Sequence, residues 1–133
     1  MKTLDGKIAW ITGGATGVGR QTAQRLARDG ARIALSGRRE AELEQAAEQL
    51  RADGYDAQAF ALDVADADAV AATAERIAGQ MGPVELLVCS AGLNVRQRYW
   101  QDLAAVDFAK VTRVNLEGVC LLYTSPSPRD GLL

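Results

Sequence analysis

The sequence contains no histidine and only two cysteines, so the side chains that most often carry covalent or metal chemistry are scarce. The absence of histidine excludes Ser-His-Asp and Cys-His mechanisms and most zinc sites, and we expect no bound metal. Cys89 and Cys120 are far apart and match no metal or redox spacing. We interpret Cys89 as a buried thiol in a strand. Any chemistry must therefore use hydroxyls, lysine, arginine, carboxylates or a bound cofactor.

A basic surface and a long apolar run are also missing. The net charge of −2 at pH 7 argues against nucleic acid and against an anionic membrane as partners. No apolar stretch has the length needed to span a bilayer, and residues 1–7 lack the apolar segment of a secretion signal. We therefore expect a cytoplasmic protein whose 133 residues form one domain with a core of its own.

What the sequence does contain is a cluster of glycines directly after its first apolar run. The run at residues 8–11 leads straight into the sequence TGGATGVG at residues 12–19, and a helical pattern follows. Glycines allow a tight turn that brings bare backbone close to an anion, and the helix start directs free N–H groups at it. The alternative is a glycine-rich turn without a ligand. The predicted phosphate-binding residues are Thr12, Gly13, Gly14, Thr16, Gly17, Val18 and Gly19.

Strand and helix patterns alternate over the rest of the chain. The patterns predict strands at residues 7–11, 32–36, 57–62 and 84–89, with helices between them. Asp66 or Asp68 caps the third helix, and a fourth helix begins at Asp107. Such alternation with apolar strands predicts an α/β fold in which helices cover both faces of a parallel sheet. We predict a Rossmann-type doubly wound sheet of about four strands in the order 3-2-1-4.

The glycine spacing and its setting resemble the short-chain dehydrogenase/reductase family. The N-terminal signature of that family is Thr-Gly-x-x-x-Gly-x-Gly, and this chain resembles the family over residues 4–119. The resemblance implies a dinucleotide-binding domain at residues 1–119. It also implies an intact parent oxidoreductase that transfers a hydride between a nicotinamide cofactor and a small carbonyl or alcohol substrate. By the same resemblance, the parent is expected to be a homodimer or homotetramer.

The end of the second strand bears on which cofactor is preferred. NAD-preferring members of the family carry an acid about where this chain has Gly37, and such an acid would repel a 2′-phosphate. Arg38 offers a charge-assisted pair to a 2′-phosphate and Ser36 offers a hydroxyl donor. By resemblance, these residues favour NADP over NAD, with Arg39 as a second cationic candidate. The alternative is that both arginines are solvated charges at a helix start.

Two further segments match cofactor contacts of the family. Asp63 and Val64 follow the third strand, where the resemblance implies an acceptor for the adenine amino group and a surface for the ring. Alternatively, Asp63 caps a turn. Ser90, Ala91 and Gly92 end the fourth strand, where the family reads Asn-Asn-Ala-Gly and the nicotinamide ribose approaches the backbone. This chain departs from that pattern by having Cys-Ser in place of the two asparagines.

Asn115 is the one candidate for the catalytic machinery. Phe108, Val111 and Asn115 are three and four residues apart, so they share one helical face. We therefore expect the Asn115 amide on an apolar, core-facing side, where it needs hydrogen-bond partners. In the resembled family this asparagine holds a water in the proton relay to the catalytic lysine. The alternative is an asparagine bonded to nearby backbone.

The catalytic serine and Tyr-x-x-x-Lys of the resembled family do not follow Asn115. Tyr123, for example, has Ser127 four residues later instead of a lysine. Residues 121–130 contain two of the three prolines and resemble a translated sequencing adaptor. We therefore expect an incomplete sheet, a non-native tail at residues 120–133 and an inactive chain. The alternatives are a genuine proline-rich tail on a non-catalytic dinucleotide-binding module, and an unstable fragment that binds little.

Overall fold

The computed structural model describes residues 3–124, and four parallel strands form their centre. The strands are β1 (Ile8–Thr12), β2 (Arg32–Gly37), β3 (Ala57–Ala61) and β4 (Val84–Cys89). The helices are α1 (Gly17–Arg28), α2 (Glu40–Ala52), α3 (Ala67–Gln80), α4 (Ala105–Thr112) and α5 (Gly118–Tyr123). A π-helical turn, Arg113–Glu117, joins α4 to α5. The strand order is β3-β2-β1-β4, so the predicted Rossmann-type fold is confirmed.

The two inner strands, β1 and β2, supply side chains to two separate apolar layers, because successive strand residues point to opposite faces of the sheet. Ala9 and Ile11 of β1 join Ile33 and Leu35 of β2 in the layer that α1 and α2 cover. Trp10 belongs to the opposite layer, to which α3 and α5 contribute. All five residues of β1 are buried. Burial on both faces explains why these strands read as continuous apolar runs.

Element boundaries lie within two residues of those that the sequence predicts. Asp66, and not Asp68, caps α3: its Oδ1 accepts a hydrogen bond from the Ala69 N–H at 3.0 Å. The fourth helix begins at Ala105, two residues before the predicted start at Asp107. A capping side chain marks the start of α3 in the sequence, whereas α4 begins without any side-chain cap and its start is harder to predict.

β4 is an edge strand in the part of the chain that the structure describes, and its residues are less buried than those of β1. Leu86 and Val88 pack against the layer beneath α1 and α2. Leu87 and Cys89, on the opposite face, are exposed. The prediction that Cys89 is a buried thiol is therefore wrong, because only one face of this strand is covered. The partial burial that remains raises the pKa of the Cys89 thiol.

The helical segment that carries Asn115 also turns a different face to the core than predicted. Val114, Gly118 and Leu122 are the buried residues, whereas Asn115 is exposed and Phe108 is 51% exposed. The prediction assumed one regular α-helix, but the π-helical turn adds a residue to one turn and rotates the faces before and after it. The expected core-facing position of Asn115 is therefore wrong.

The predicted non-native tail falls largely outside the described residues. Residues 120–123 belong to α5, where Leu122 is 2% exposed and packs into the layer to which α3 contributes. Residues 125–133, including Pro126 and Pro128, lie outside the described residues. The boundary at residue 119 stays a prediction. Within residues 3–124, no helix is both long enough and apolar enough to cross a membrane.

Candidate functional site

A cleft of about 340 Å³ opens at the carboxyl ends of the strands. Open α/β sheets bind ligands at this edge, because the loops that follow neighbouring strands diverge there. The cleft walls come from the glycine-rich turn, the β2–α2 connection, the residues after β3 and the end of β4. The predicted cofactor residues that line it are Gly13, Thr16, Gly17, Val18, Arg38, Arg39, Asp63, Val64, Ser90, Ala91 and Gly92.

Three glycines shape the turn between β1 and α1, each for a different reason. Gly13 has φ +65°, and a Cβ there would lie 2.6 Å from the Ser90 carbonyl oxygen. Gly17 has φ +56° and open space where a Cβ would be, so bare backbone faces the cleft. A Cβ on Gly19 would collide with the Gly13 carbonyl oxygen. The turn is therefore a cradle of bare backbone, closely packed at Gly13 and Gly19 and open to the cleft at Gly17.

The start of α1 is open to an anion, unlike the starts of α2 and α3. Thr16, the residue before α1, makes no side-chain capping bond, and the first turn of α1 holds no acid. By contrast, α2 has Glu40 and Glu42 in its first turn, and Asp66 caps α3. First-turn N–H groups have no partner inside a helix, and they carry the positive end of the helix dipole. This bare cradle and open helix start fit a pyrophosphate.

The end of β2 presents two arginines to the cleft. The Arg38 guanidinium has no hydrogen-bond or ion-pair partner among residues 3–124. Arg39 Nη1 forms an ion pair with Glu42 Oε1 at 2.9 Å, between side chains that are 67% and 42% exposed. Arg38 is therefore the cation that is free to meet a ligand, and Arg39 is already partly neutralised.

Ser36 does not reach the cleft, contrary to the prediction. Its side chain is 0% exposed, and its Oγ accepts a hydrogen bond from Trp10 Nε1 at 2.8 Å. The reason is strand alternation: Ser36 points into the opposite layer from Leu35 and lies beside the Trp10 indole. The expected hydroxyl donation from Ser36 to a 2′-phosphate is therefore wrong.

Asp63 and Val64 line the cleft together but make different contacts. Asp63 is exposed, and its Oδ1 accepts from the Ala65 N–H at 3.0 Å, as in a capped turn. Val64 is 5% exposed, and its methyl group would lie 2.8 Å from a Cβ on Gly118. Val64 therefore forms an apolar patch of the cleft wall that is backed by α5.

Asn115 ties its helical segment to the loop that follows β4. Its Oδ1 accepts from the Leu93 N–H at 2.9 Å, and its Nδ2 donates to the Leu93 carbonyl oxygen at 2.9 Å. A Cβ on Gly92 would lie 3.4 Å from the same Oδ1, so Gly92 leaves room for this contact. The alternative of an asparagine bonded to nearby backbone is what the structure shows.

Some predicted site residues support the cleft without lining it. Thr12 is 0% exposed, and its Oγ1 accepts from the Ala91 N–H at 3.4 Å. Gly14 is buried, and its N–H donates to the Ser36 carbonyl oxygen at 3.1 Å. The predicted residues outside the cleft lining are Thr12, Gly14, Gly19, Ser36 and Asn115.

Sequence reasoning also missed residues that line the cleft. Leu62 could have been inferred, because it directly precedes Asp63 at the end of a strand. Val114 could not, because its position depends on the π-helical turn. The missed lining residues are Ala15, Gly37, Leu62 and Val114.

Comparisons with known proteins agree with this geometry. A family model described as short chain dehydrogenase matches residues 7–129. D-threitol dehydrogenase of Mycolicibacterium smegmatis is 39% identical over 126 residues, which cover 95% of this chain and 48% of that protein. 2,3-dihydro-2,3-dihydroxybenzoate dehydrogenase of Bacillus subtilis is 38% identical over 118 residues, which cover 89% of this chain and 45% of that protein. The chain thus spans about half the length of these curated relatives.

A solved structure is similar over the same region. The crystal structure of a metagenomic short-chain oxidoreductase in complex with NADP matches with a TM-score of 0.84 and 29% identity, covering 90% of this chain and 54% of that chain. The family model, the relatives and the fold therefore agree, and the chain belongs to the short-chain dehydrogenase family of oxidoreductases, which bind a nicotinamide cofactor.

Proposed function

We propose that this chain is the cofactor-binding portion of an NADP-dependent oxidoreductase. In this proposal, the intact parent moves a hydride between the nicotinamide and a small carbonyl or alcohol substrate. The glycine-rich turn and the start of α1 bind the pyrophosphate, Asp63 and Val64 meet the adenine, and Ser90 to Gly92 border the nicotinamide ribose. The bound nicotinamide supplies the hydride chemistry, and the residues of this chain bind and orient it.

The preference for NADP over NAD rests on one observation, the unpaired Arg38 at the end of β2. Its guanidinium is exposed, lines the cleft and has no acidic partner among residues 3–124. An acid after β2 would accept hydrogen bonds from a ribose, whereas Gly37 offers no side chain at all. A guanidinium forms strong, geometrically specific pairs with phosphate oxygens. A 2′-phosphate is the group on NADP that such a residue would recognise.

Further parts of the proposal concern the parent protein and the activity of the chain itself. No Tyr-x-x-x-Lys occurs in the sequence, so we propose that the chain as it stands binds the cofactor without turning over substrate. The proton-relay role of Asn115, a homodimeric or homotetrameric parent and a cytoplasmic location stay predictions from the resemblance and the composition. Asn115 would take part in a relay only if it kept a contact to water beside its two bonds to Leu93.

The experiment that tests the cofactor preference is a titration of the full chain with 2′,5′-ADP and with 5′-AMP at constant ionic strength. We expect the first ligand to bind more tightly, and Arg38→Ala to remove about tenfold or more of that difference, since a charge-assisted contact contributes about 1.5–3 kcal/mol. Arg39→Ala should have a smaller effect, because Glu42 already pairs with Arg39.

Arg28→Ala is the matched control for Arg38→Ala. Arg28 is an exposed arginine in the last turn of α1, about 16 Å along the helix from its open start. Its substitution by alanine removes the same charge as Arg38→Ala, but far from the proposed phosphate site. A wild-type chain that binds both ligands equally would refute the NADP preference. If Arg38→Ala and Arg28→Ala lowered the preference for 2′,5′-ADP equally, Arg38 would act only through the net charge of the chain.

A further inference from the structure

A buried hydrogen bond between tryptophan and serine joins β1 to β2. Trp10 Nε1 donates to Ser36 Oγ at 2.8 Å, and the two side chains are 2% and 0% exposed. Trp10 lies in an apolar layer with Phe60 and Leu62. Apolar side chains of similar volume would fill this layer without burying polar atoms. Core packing alone therefore does not explain a polar pair at this place.

Backbone hydrogen bonds at Ser36 and Gly37 connect β2 to two other segments around the cleft. Its carbonyl oxygen accepts from the Gly14 N–H at 3.1 Å, inside the glycine-rich turn. The carbonyl oxygen of the next residue, Gly37, accepts from the Leu62 N–H at 2.9 Å, after the end of β3. Arg38 follows directly. A displacement of Ser36 would therefore move the turn, the start of the segment that carries Arg38 and the end of β3 together.

We propose that Trp10 is a positioning residue for recognition of the 2′-phosphate. Its indole N–H holds Ser36, and Ser36 fixes the spacing between the glycine-rich turn and Arg38. This inference rests on the proposed function, because it assigns a residue that sets the selectivity of the same site. A ligand with a pyrophosphate and a 2′-phosphate must meet the turn and Arg38 at once, so selectivity depends on how rigidly the two are held apart.

The test compares single and double substitutions at this pair in the full chain. Trp10→Phe keeps an aromatic ring but removes the N–H donor, and Ser36→Ala removes the acceptor. For each variant, the ratio of the dissociation constants for 5′-AMP and 2′,5′-ADP is measured. We expect each single variant to lower the ratio by about threefold or more, as for residues coupled through one hydrogen-bond network. The double variant should lower it no further than the larger single effect.

A control variant separates positioning from a general loss of stability. Ile77→Val removes one methylene group from a fully buried side chain in the same layer as Trp10 but on α3. We expect this variant to lower the urea midpoint and leave the ratio unchanged. An unchanged ratio in folded Trp10→Phe and Ser36→Ala, or effects that add in the double variant, would overturn the inference alone. A wild-type ratio of one would refute the proposed function as well.

A fluorescence measurement covers the case in which the Trp10 variants fail to fold. The chain has two tryptophans, and the second, Trp100, is 84% exposed, so Trp100→Phe leaves Trp10 as the only tryptophan, which is excited at a wavelength that tyrosine does not absorb. We expect saturating 2′,5′-ADP to change the Trp10 emission more than saturating 5′-AMP does, because only the first ligand engages Arg38. Identical emission changes with the two ligands would overturn the inference.

Discussion

Two consecutive parts of the chain are packed to very different extents. In the first, the β1–β3 region at residues 8–80, α1, α2 and α3 each bury three or four residues. In the second, the β4–α5 region at residues 84–124, burial alternates along β4 and α4 buries no residue. Among residues 3–124, the most exposed large apolar side chains, Trp100 at 84% and Tyr123 at 83%, belong to the β4–α5 region.

This difference separates the two ends of the proposed cofactor site. The cradle, the open start of α1 and Arg38 rest on the tightly packed β1–β3 region. Ser90 to Gly92, which would border the nicotinamide ribose, belong to the loosely packed β4–α5 region. Binding of the phosphate groups through the cradle and Arg38 should therefore persist under conditions that loosen the other end, because the stability of a structure is not uniform and sparsely packed parts open first.

The largest expected effect comes from making one substitution in each region. Leu43 is 0% exposed in the β1–β3 region, and Leu116 is 66% exposed in the β4–α5 region. Leu43→Ala should lower the free energy of unfolding by about 2–5 kcal/mol, because it removes buried methyl groups and leaves a cavity. Leu116→Ala should change it by about 0.5 kcal/mol or less. Urea unfolding followed by circular dichroism measures both, and equal losses of unfolding free energy would contradict the difference in packing between the two regions.

A second pair of substitutions tests the cradle itself. Gly19→Ala would press a methyl group onto the Gly13 carbonyl oxygen and should lower the free energy of unfolding by about 1–3 kcal/mol, with weaker binding of 2′,5′-ADP. Gly79, near the end of α3, has open space around it, so Gly79→Ala should raise stability by about 0.5–1 kcal/mol. Both glycines are helical, and a stabilising Gly19→Ala would contradict the proposed close packing of α1 on the turn.

A third substitution tests what holds the loop after β4 in the β4–α5 region. Asn115→Ala removes two hydrogen bonds to the Leu93 backbone and should lower the free energy of unfolding by about 1 kcal/mol. The freed loop should be cut faster by trypsin after Arg96 and Arg98. Among residues 3–124, the Asn94 side chain bonds only to its neighbour, accepting from the Val95 N–H, so Asn94→Ala serves as the control. Unchanged proteolysis in Asn115→Ala would show that the loop is held by other contacts.

The smallest expected effect is on the pH dependence of Cys89 alkylation and of folding stability. Partial burial raises the pKa of this thiol, since desolvation disfavours the thiolate. In a Cys120→Ser variant, the pH profile of alkylation by iodoacetamide should therefore give a higher pKa for the folded chain than for the chain in urea. Because the folded state holds the proton more tightly, the stabilising contribution of Cys89 is complete below the unfolded-state pKa. It is lost as the pH rises through the folded-state pKa. A lower pKa in the folded chain would contradict the desolvation.

The sequence predicts the β1–β3 region better than the β4–α5 region, for physical reasons. Continuous apolar runs and glycine spacing are local signals, so the strand order and the cradle follow from them. Strand alternation turns Ser36 away from the cleft, although Ser36 lies only two residues before Arg38. The exposure of Cys89 depends on what covers β4, and the orientation of Asn115 depends on a π-helical turn; neither leaves a local pattern.

The absent side chain of Gly118 governs how wide the cleft can be. A methyl group there would lie 2.8 Å from Val64, so α5 can approach the end of β3 only because that methyl group is missing. Val64 lines the cleft, and Val114 lines it one turn before Gly118. Bulk added at position 118 would therefore push α5 away from Val64 and widen the part of the cleft in which we propose that the adenine ring binds.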